Sequence, residues 1–206
     1  MVHRWDIVSI GNLSRNRYWG ESDDQSYRKA ICTSTLITGE AFCMLVDPPY
    51  GDAEQMTSEL FRRTGLQVTD VDTVFLTHHH GDHVVGLPHF SHATWLAAPE
   101  VAHLLNESDK FEKTIEAADA QLFGCIDMIH TPGHTLSHHS LAFDWHGYRV
   151  LIAADAAMTP DFWANRQGYF NSVDFDAAAR TIEMLSNTAD IVVPGHDNYF
   201  LVPKRS

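Results

Sequence analysis

Apolar and polar residues recur along this chain with two different periods, and the switches between them mark out its elements. Residues 5–10, 31–37 and 42–46 are short runs rich in β-branched and aromatic side chains, and each reads as a strand. The third ends at Asp47-Pro48-Pro49, where proline can no longer donate to a ladder. Over residues 53–64 the period lengthens to that of a helix, with Met56, Leu60 and Phe61 expected on its buried face and Gly65 as its stop. Residues 71–76 form another apolar strand that runs straight into Thr77 and a group of histidines. A strand over 93–98 precedes Pro99, which opens a helix reaching Leu105. Residues 106–119 are polar and charged, a loop or an exposed helix. Strands are then expected over 121–129, 139–143 and 148–153, with His146-Gly147 as the turn between the last two. A helix over 174–186 turns Ala178, Ile182 and Leu185 inward, and a last strand over 191–193 leads into Pro194-Gly195-His196. This order of elements predicts two sheets packed together with helices outside.

A chain of 206 residues, 44% hydrophobic, is long enough for one substantial core, and no repeat, low-complexity tract or linker interrupts it. A single domain over 1–206 is the expectation. The formal net charge of −13 repels phosphate backbones, so nucleic acid is not expected as a partner. No apolar run approaches the roughly 20 residues that span a bilayer. Residues 1–13 lack the basic, apolar and small-residue succession of a secretory leader. Cys32, Cys43 and Cys125 are odd in number and form no CxxC pair, which fits reduced thiols. Together these features make a cytoplasmic location the default, without a membrane partner. An oligomer is compatible with the sequence.

Histidine changes the picture: there are 14, as many as Lys and Arg combined. The densest run is Thr77-His78-His79-His80-Gly81-Asp82-His83. At the mouth of a strand, His78 and His80 point the same way, and Gly81 permits the tight backbone that brings Asp82 and His83 to a second position. Imidazole and carboxylate donors suit zinc, and also iron or manganese. Core packing alone rarely places five ligand-type side chains in six positions. His134 follows in the turn Thr131-Pro132-Gly133-His134, Asp155 closes an apolar run in which a carboxylate needs a partner, and His196 lies in a second Pro-Gly-His turn.

An HxHxDH motif, a Pro-Gly-His turn, an aspartate closing a strand and a second Gly-His turn, in that order, resemble the metallo-β-lactamase superfamily. The likeness runs from the strand leading to Asp47 through His196. It implies a four-layer αββα sandwich with two divalent ions at one edge, zinc in preference to iron or manganese. One ion would take His78, His80 and His134; the other would take Asp82, His83 and His196; Asp155 would bridge both. Asp47 would orient a ligand rather than bind metal. Of the other histidines, His79 is expected to support the loop and His130 to be structural. His89, His92, His138 and His139 are candidates to line the pocket, while His3, His103 and His146 are expected at the surface.

Paired divalent ions lower the pKa of bound water and clamp attacking and leaving oxygens. The resemblance therefore implies hydrolysis of a small ester, lactone or thioester by a bridging hydroxide, with Asp82 as catalytic proton shuttle. True β-lactamases of this fold lack the carboxylate that Asp155 supplies. Flavodiiron oxidoreductases carry a glutamate where this chain has His80, and ribonuclease-type members add an RNA-gripping part. Glyoxalase II shares all seven positions but grips its substrate with a C-terminal helical region, which is expected to be missing here. Asp155-Ala156-Ala157-Met158-Thr159 is similar to the acyl-homoserine-lactone lactonases, which place a tyrosine where this chain has Met158. Residues 162–170 are expected as a loop beside the metals, its aromatics either walling a pocket or packing beneath the next helix, and residues 14–21 are a second candidate to reach the site. Two alternatives stand beside the hydrolase. One is a mononuclear iron persulfide dioxygenase using His78, His134 and Asp155; the other is a non-catalytic metal-binding module. The complete second set of ligands weighs against both.

Overall fold

In a computed structural model that describes residues 1–203, the strands form two six-stranded mixed sheets. The last three residues of the expected domain lie outside the described residues. The first sheet runs in chain order: β1 (Val2–Ser9), β2 (Ser34–Gly39), β3 (Cys43–Val46), β4 (Thr73–Leu76), β5 (Thr94–Ala97) and β6 (Glu116–Ala117). Its first three strands pair antiparallel and its last four pair parallel. The second sheet holds β7 (Gln121–Leu122), β8 (Ile126–His130), β9 (His139–Trp145), β10 (Tyr148–Ala154), β11 (Ile191–Pro194) and β12 (Phe200–Leu201). All its pairs are antiparallel except β10 with β11.

The helices α1 (Ala53–Thr64), the single turn α2 (Gly81–Val84) and α3 (Pro99–Glu107) fall within the first half of the chain; α4 (Pro160–Ala164) and α5 (Phe175–Ser186) fall within the second. Strand periodicity sorts the core into layers. Met44, Val46 and Phe75 point into the space between the sheets, where they meet Leu141, Phe143, Val150 and Ile152. Their neighbours Leu45, Val74 and Leu76 point the other way, against Met56 and Leu60 of α1 and Val101 and Leu105 of α3. Across the molecule, Leu151, Ala153 and Val192 pack on Ile182 and Leu185 of α5 and on Trp163 of α4. The result is the expected αββα sandwich. Phe75 is fully buried at its centre, and truncation to alanine there would cost about 3–5 kcal/mol.

Local chemistry explains the element ends. The side chain of Asp52 accepts from Gln55 N at 2.8 Å to start α1, and Gly65, at φ 78°, ends it; Asp174 caps α5 in the same way through Ala177 N. His146 and Gly147 both have positive φ, the signature of a tight hairpin turn. Three expectations are corrected. Phe61 is 53% exposed, because the buried face of α1 is Met56, Leu60 and Thr64 at helical spacing. The strand expected over 121–129 is broken into β7 and β8 at Phe123-Gly124, where both residues turn left-handed. Residues 162–170 begin inside α4, opened by Pro160, instead of forming a loop throughout. Cys32, Cys43 and Cys125 are free thiols. Among the described residues no helix is long and apolar enough to cross a membrane.

Candidate metal centre

Strand directions bring the histidines together. β3 and β4 are parallel and lead directly into Asp47 and Thr77; β8 and β10 run the same way, each being antiparallel to β9; β11 is parallel to β10. Thus the segments after β3, β4, β8, β10 and β11 carry Asp47, the 77–83 run, His134, Asp155 and His196 to one edge of the sandwich. Two residues here hold left-handed backbone: Asp47 and Ala154, the latter just before Asp155, have φ of 52° and 45°. Two glycines are sterically required. A Cβ on Gly195 would lie 2.0 Å from Asp155 Oδ1, and one on Gly133, at φ 139°, would lie 2.4 Å from the backbone of Ala178.

The seven residues singled out by the sequence assemble in two groups around Asp155. Donor atoms of His78, His80, His134 and Asp155 lie within 4.8 Å of one another, as do those of Asp82, His83 and His196. Asp155 Oδ2 is 3.1 Å from His134 Nε2 and 3.6 Å from His78 Nε2; its other oxygen, Oδ1, is 3.1 Å from His83 Nε2 and 3.3 Å from His196 Nε2. His80 Nδ1 is 2.8 Å from His134 Nε2, and His196 Nε2 is 3.6 Å from Asp82 Oδ2. Donors bound about 2.0–2.1 Å from one tetrahedral ion stand about 3.3 Å apart, which these spacings match. A divalent ion fits the donor set on a second count: His78 Nε2 is buried without a hydrogen-bond partner, an expensive arrangement unless something else satisfies it.

Protonation follows from the same geometry. Burial pushes His78 and His138 well below the ordinary imidazole range, and burial together with the neighbouring His134 brings His80 down to about 4. Those rings are neutral at pH 7 and offer a lone pair. Burial would raise the Asp155 carboxyl, but the imidazoles of His83, His196 and His134 outweigh it and hold it well below the usual carboxylate range. Burial would likewise lower His83, but the carboxylates of Asp155 and Asp47 hold it well above its ordinary value.

Behind the centre lies a set of orienting contacts. Asp47 Oδ2 accepts from His83 Nδ1 at 2.8 Å and from the Thr77 hydroxyl at 2.7 Å, while Oδ1 accepts from Thr77 N. The Thr77 hydroxyl, its proton committed to Asp47, faces His78 Nδ1 at 3.1 Å. His196 Nδ1 donates to the carbonyls of Ile31 and Asn12 at 2.9 and 3.1 Å. The Cys32 thiol donates to the Asp82 carbonyl at 3.1 Å. These carbonyl and thiol contacts have no signature in the sequence.

The remaining expectations divide. His138 is buried, its ring centroid 5.0 Å from that of His78. His89 and His92 instead bond the carbonyls of Gly51 and Val71 away from the centre. A cleft of about 280 Å³ over the two groups is walled by Leu13, Ser14, Tyr169 and Phe170, so residues 14–21 reach the site at Ser14. The aromatics of 162–170 split between the two roles. Phe162 and Trp163 are buried in the core, while Tyr169 and Phe170 face the cleft, with Arg15 stacked over Phe170. Met158 is buried against Leu13, Phe162 and Tyr169 and is absent from the cleft wall.

An αββα sandwich with histidines and aspartates in two groups at one edge defines a class of metal-binding fold. The family model of the metallo-beta-lactamase superfamily matches residues 27–196, and the chain belongs to that superfamily. It is 35% identical to a hydroxyacylglutathione hydrolase of Aeromonas salmonicida over 126 residues, 58% of this chain and 44% of that one; it therefore spans less than half the length of that relative. It is 24% identical over 182 residues to an N-acyl homoserine lactonase of a Bacillus species, covering 82% of this chain and 70% of that one. In fold it is similar to a dizinc quorum-quenching lactonase solved with a product, at a TM-score of 0.67 and 16% identity over 86% of this chain and 80% of that one.

Proposed function

We propose that this protein is a dinuclear metal-dependent hydrolase of a small ester, lactone or thioester. The observation that carries the reading is the division of Asp155: one oxygen faces His78 and His134, the other His83 and His196. His78, His80 and His134 would hold one divalent ion, Asp82, His83 and His196 the other, and Asp155 would bridge them. Nitrogen and carboxylate donors suit zinc, and the similar dizinc lactonase supports that choice. When bound, such ions activate water near neutral pH and polarise a carbonyl oxygen.

The chain's own residues supply the rest. Asp82, its side chain 26% exposed beside the cleft, takes the proton from the attacking water and returns it to the leaving oxygen or sulfur as the acyl bond breaks. Asp47, accepting from Nδ1 of His83, aims the opposite ring nitrogen, Nε2, at the position an ion would take. Tyr169 and Phe170 wall the cleft over the two groups.

Metal content per chain, measured on protein purified without added metal, combined with rates on lactones and thioesters, tests the proposal. About two zinc ions with turnover of either class is the expected outcome. One iron per chain, no hydrolysis and sulfite formed from glutathione persulfide would replace it with the dioxygenase.

A further inference from the structure

A second cleft, of about 690 Å³, adjoins the centre, and His80 lines both. Three segments build its outer wall: Leu104 from α3, Leu136 from the turn between β8 and β9, and Val173 from the segment before α5. These aliphatics are 44%, 68% and 62% exposed. On a chain of net charge −13, these three solvent-facing aliphatics converge on one concavity. Glu100 is the one carboxylate in the lining, and among the described residues neither this cleft nor the one over the histidines is lined by Lys or Arg. The volume falls within the roughly 300–1,000 Å³ of small-molecule sites. A larger cavity of about 830 Å³ lies at the opposite strand ends, but its Arg149 is already paired with Asp127 and Asp144.

We infer that the cleft beside His80 binds the uncharged apolar tail of the substrate, so that the protein prefers neutral acyl compounds with medium-length alkyl chains. This rests on the hydrolase reading above: the acyl carbonyl would lie over the histidines and its chain would pass His80 toward Leu104, Leu136 and Val173. Each methylene buried there should raise kcat/KM by roughly two- to fourfold until the cleft is filled.

The test is a series of uncharged S-acyl N-acetylcysteamine thioesters and alkyl-substituted γ-lactones, the chain lengthened from two to ten carbons, on metal-loaded protein. Wild type should show a rising kcat/KM. In Leu136→Asp and Val173→Asp, both at exposed positions, the longest substrate should lose at least about tenfold while the shortest keeps its rate. Turnover that is flat with chain length in all three proteins would overturn the inference and leave the hydrolase standing. If no member turns over while a charged S-acylglutathione thioester does, the inference falls and the hydrolase stands; if neither turns over, the hydrolase reading fails, and calorimetry with acetate and decanoate decides the cleft. Tighter binding of decanoate that Leu136→Asp abolishes supports an apolar-tail site; equal binding of the two overturns it. A concentration-dependent dimer broken by Leu136→Asp, with no chain-length effect, would reassign the surface to a second copy of the chain.

Discussion

His83 and His78 face opposite oxygens of Asp155, and Asp47 reaches the two rings by different routes. It holds His83 directly, carboxylate to Nδ1 at 2.8 Å, in a fully buried contact. It reaches His78 only through the hydroxyl of Thr77, at 2.7 Å and then 3.1 Å. The rest of each group follows the same contrast. His196 is fixed by two backbone carbonyls, whereas His134 Nδ1 is buried without a partner. An outer partner that accepts the distal N–H fixes the tautomer and the aim of the ring, so the Asp82, His83 and His196 group is the more rigidly preset. The group of His78, His80 and His134 relies on burial, which keeps its first two rings neutral. Charge-assisted anchoring prepares one half of the centre and desolvation the other.

Asp155 is the one side chain common to both halves, so its removal should give the largest effect. Asp155→Ala is expected to empty both groups and to lower turnover by more than the roughly 10–100-fold typical of an outer partner. Elemental analysis and kcat/KM on a lactone or thioester check it. One group still fully loaded in this variant would mean that the carboxylate serves a single side.

Asp47→Ala separates the halves. It removes a charged anchor from His83 but only the far end of a relay from His78. Competitive metal titration should show the affinity of the Asp82, His83 and His196 group falling by roughly 10–100-fold, and that of the other group falling less. An equal loss on both sides would erase the asymmetry.

What the sequence reveals of this arrangement depends on how local each part is. His78, His80, Asp82 and His83 share one short segment, and their spacing carries the chemistry without any knowledge of the fold. The unbroken apolar run Val74-Phe75-Leu76 likewise announces a strand buried on both faces. Phe61 misleads because it adjoins the buried stripe of α1 without belonging to it. The break at Phe123-Gly124 is hidden because a phenylalanine occupies the left-handed position. Least legible are the supports of His196: the carbonyls of Asn12 and Ile31 come from far earlier in the chain, and any residue type offers the same acceptor. His89 and His92 show the converse, since proximity in sequence to the cluster does not aim their rings at it.

The finest probe of the contrast is Thr77→Val, which keeps the shape of the side chain and removes only the hydroxyl. Asp47 retains His83 and the Thr77 backbone N–H, so the Asp82, His83 and His196 group should bind metal as before. His78 loses the acceptor that faces its Nδ1. A neutral hydrogen bond contributes about 1 kcal/mol, so the affinity of the His78, His80 and His134 group should fall by roughly fivefold. Competitive titration with a chromophoric chelator resolves a change of that size, and thermal melting of the metal-free variant separates it from a general loss of stability. If Thr77→Val instead weakened the His83 side, the hydroxyl would be acting by positioning Asp47, and the two halves would share one support instead of having two.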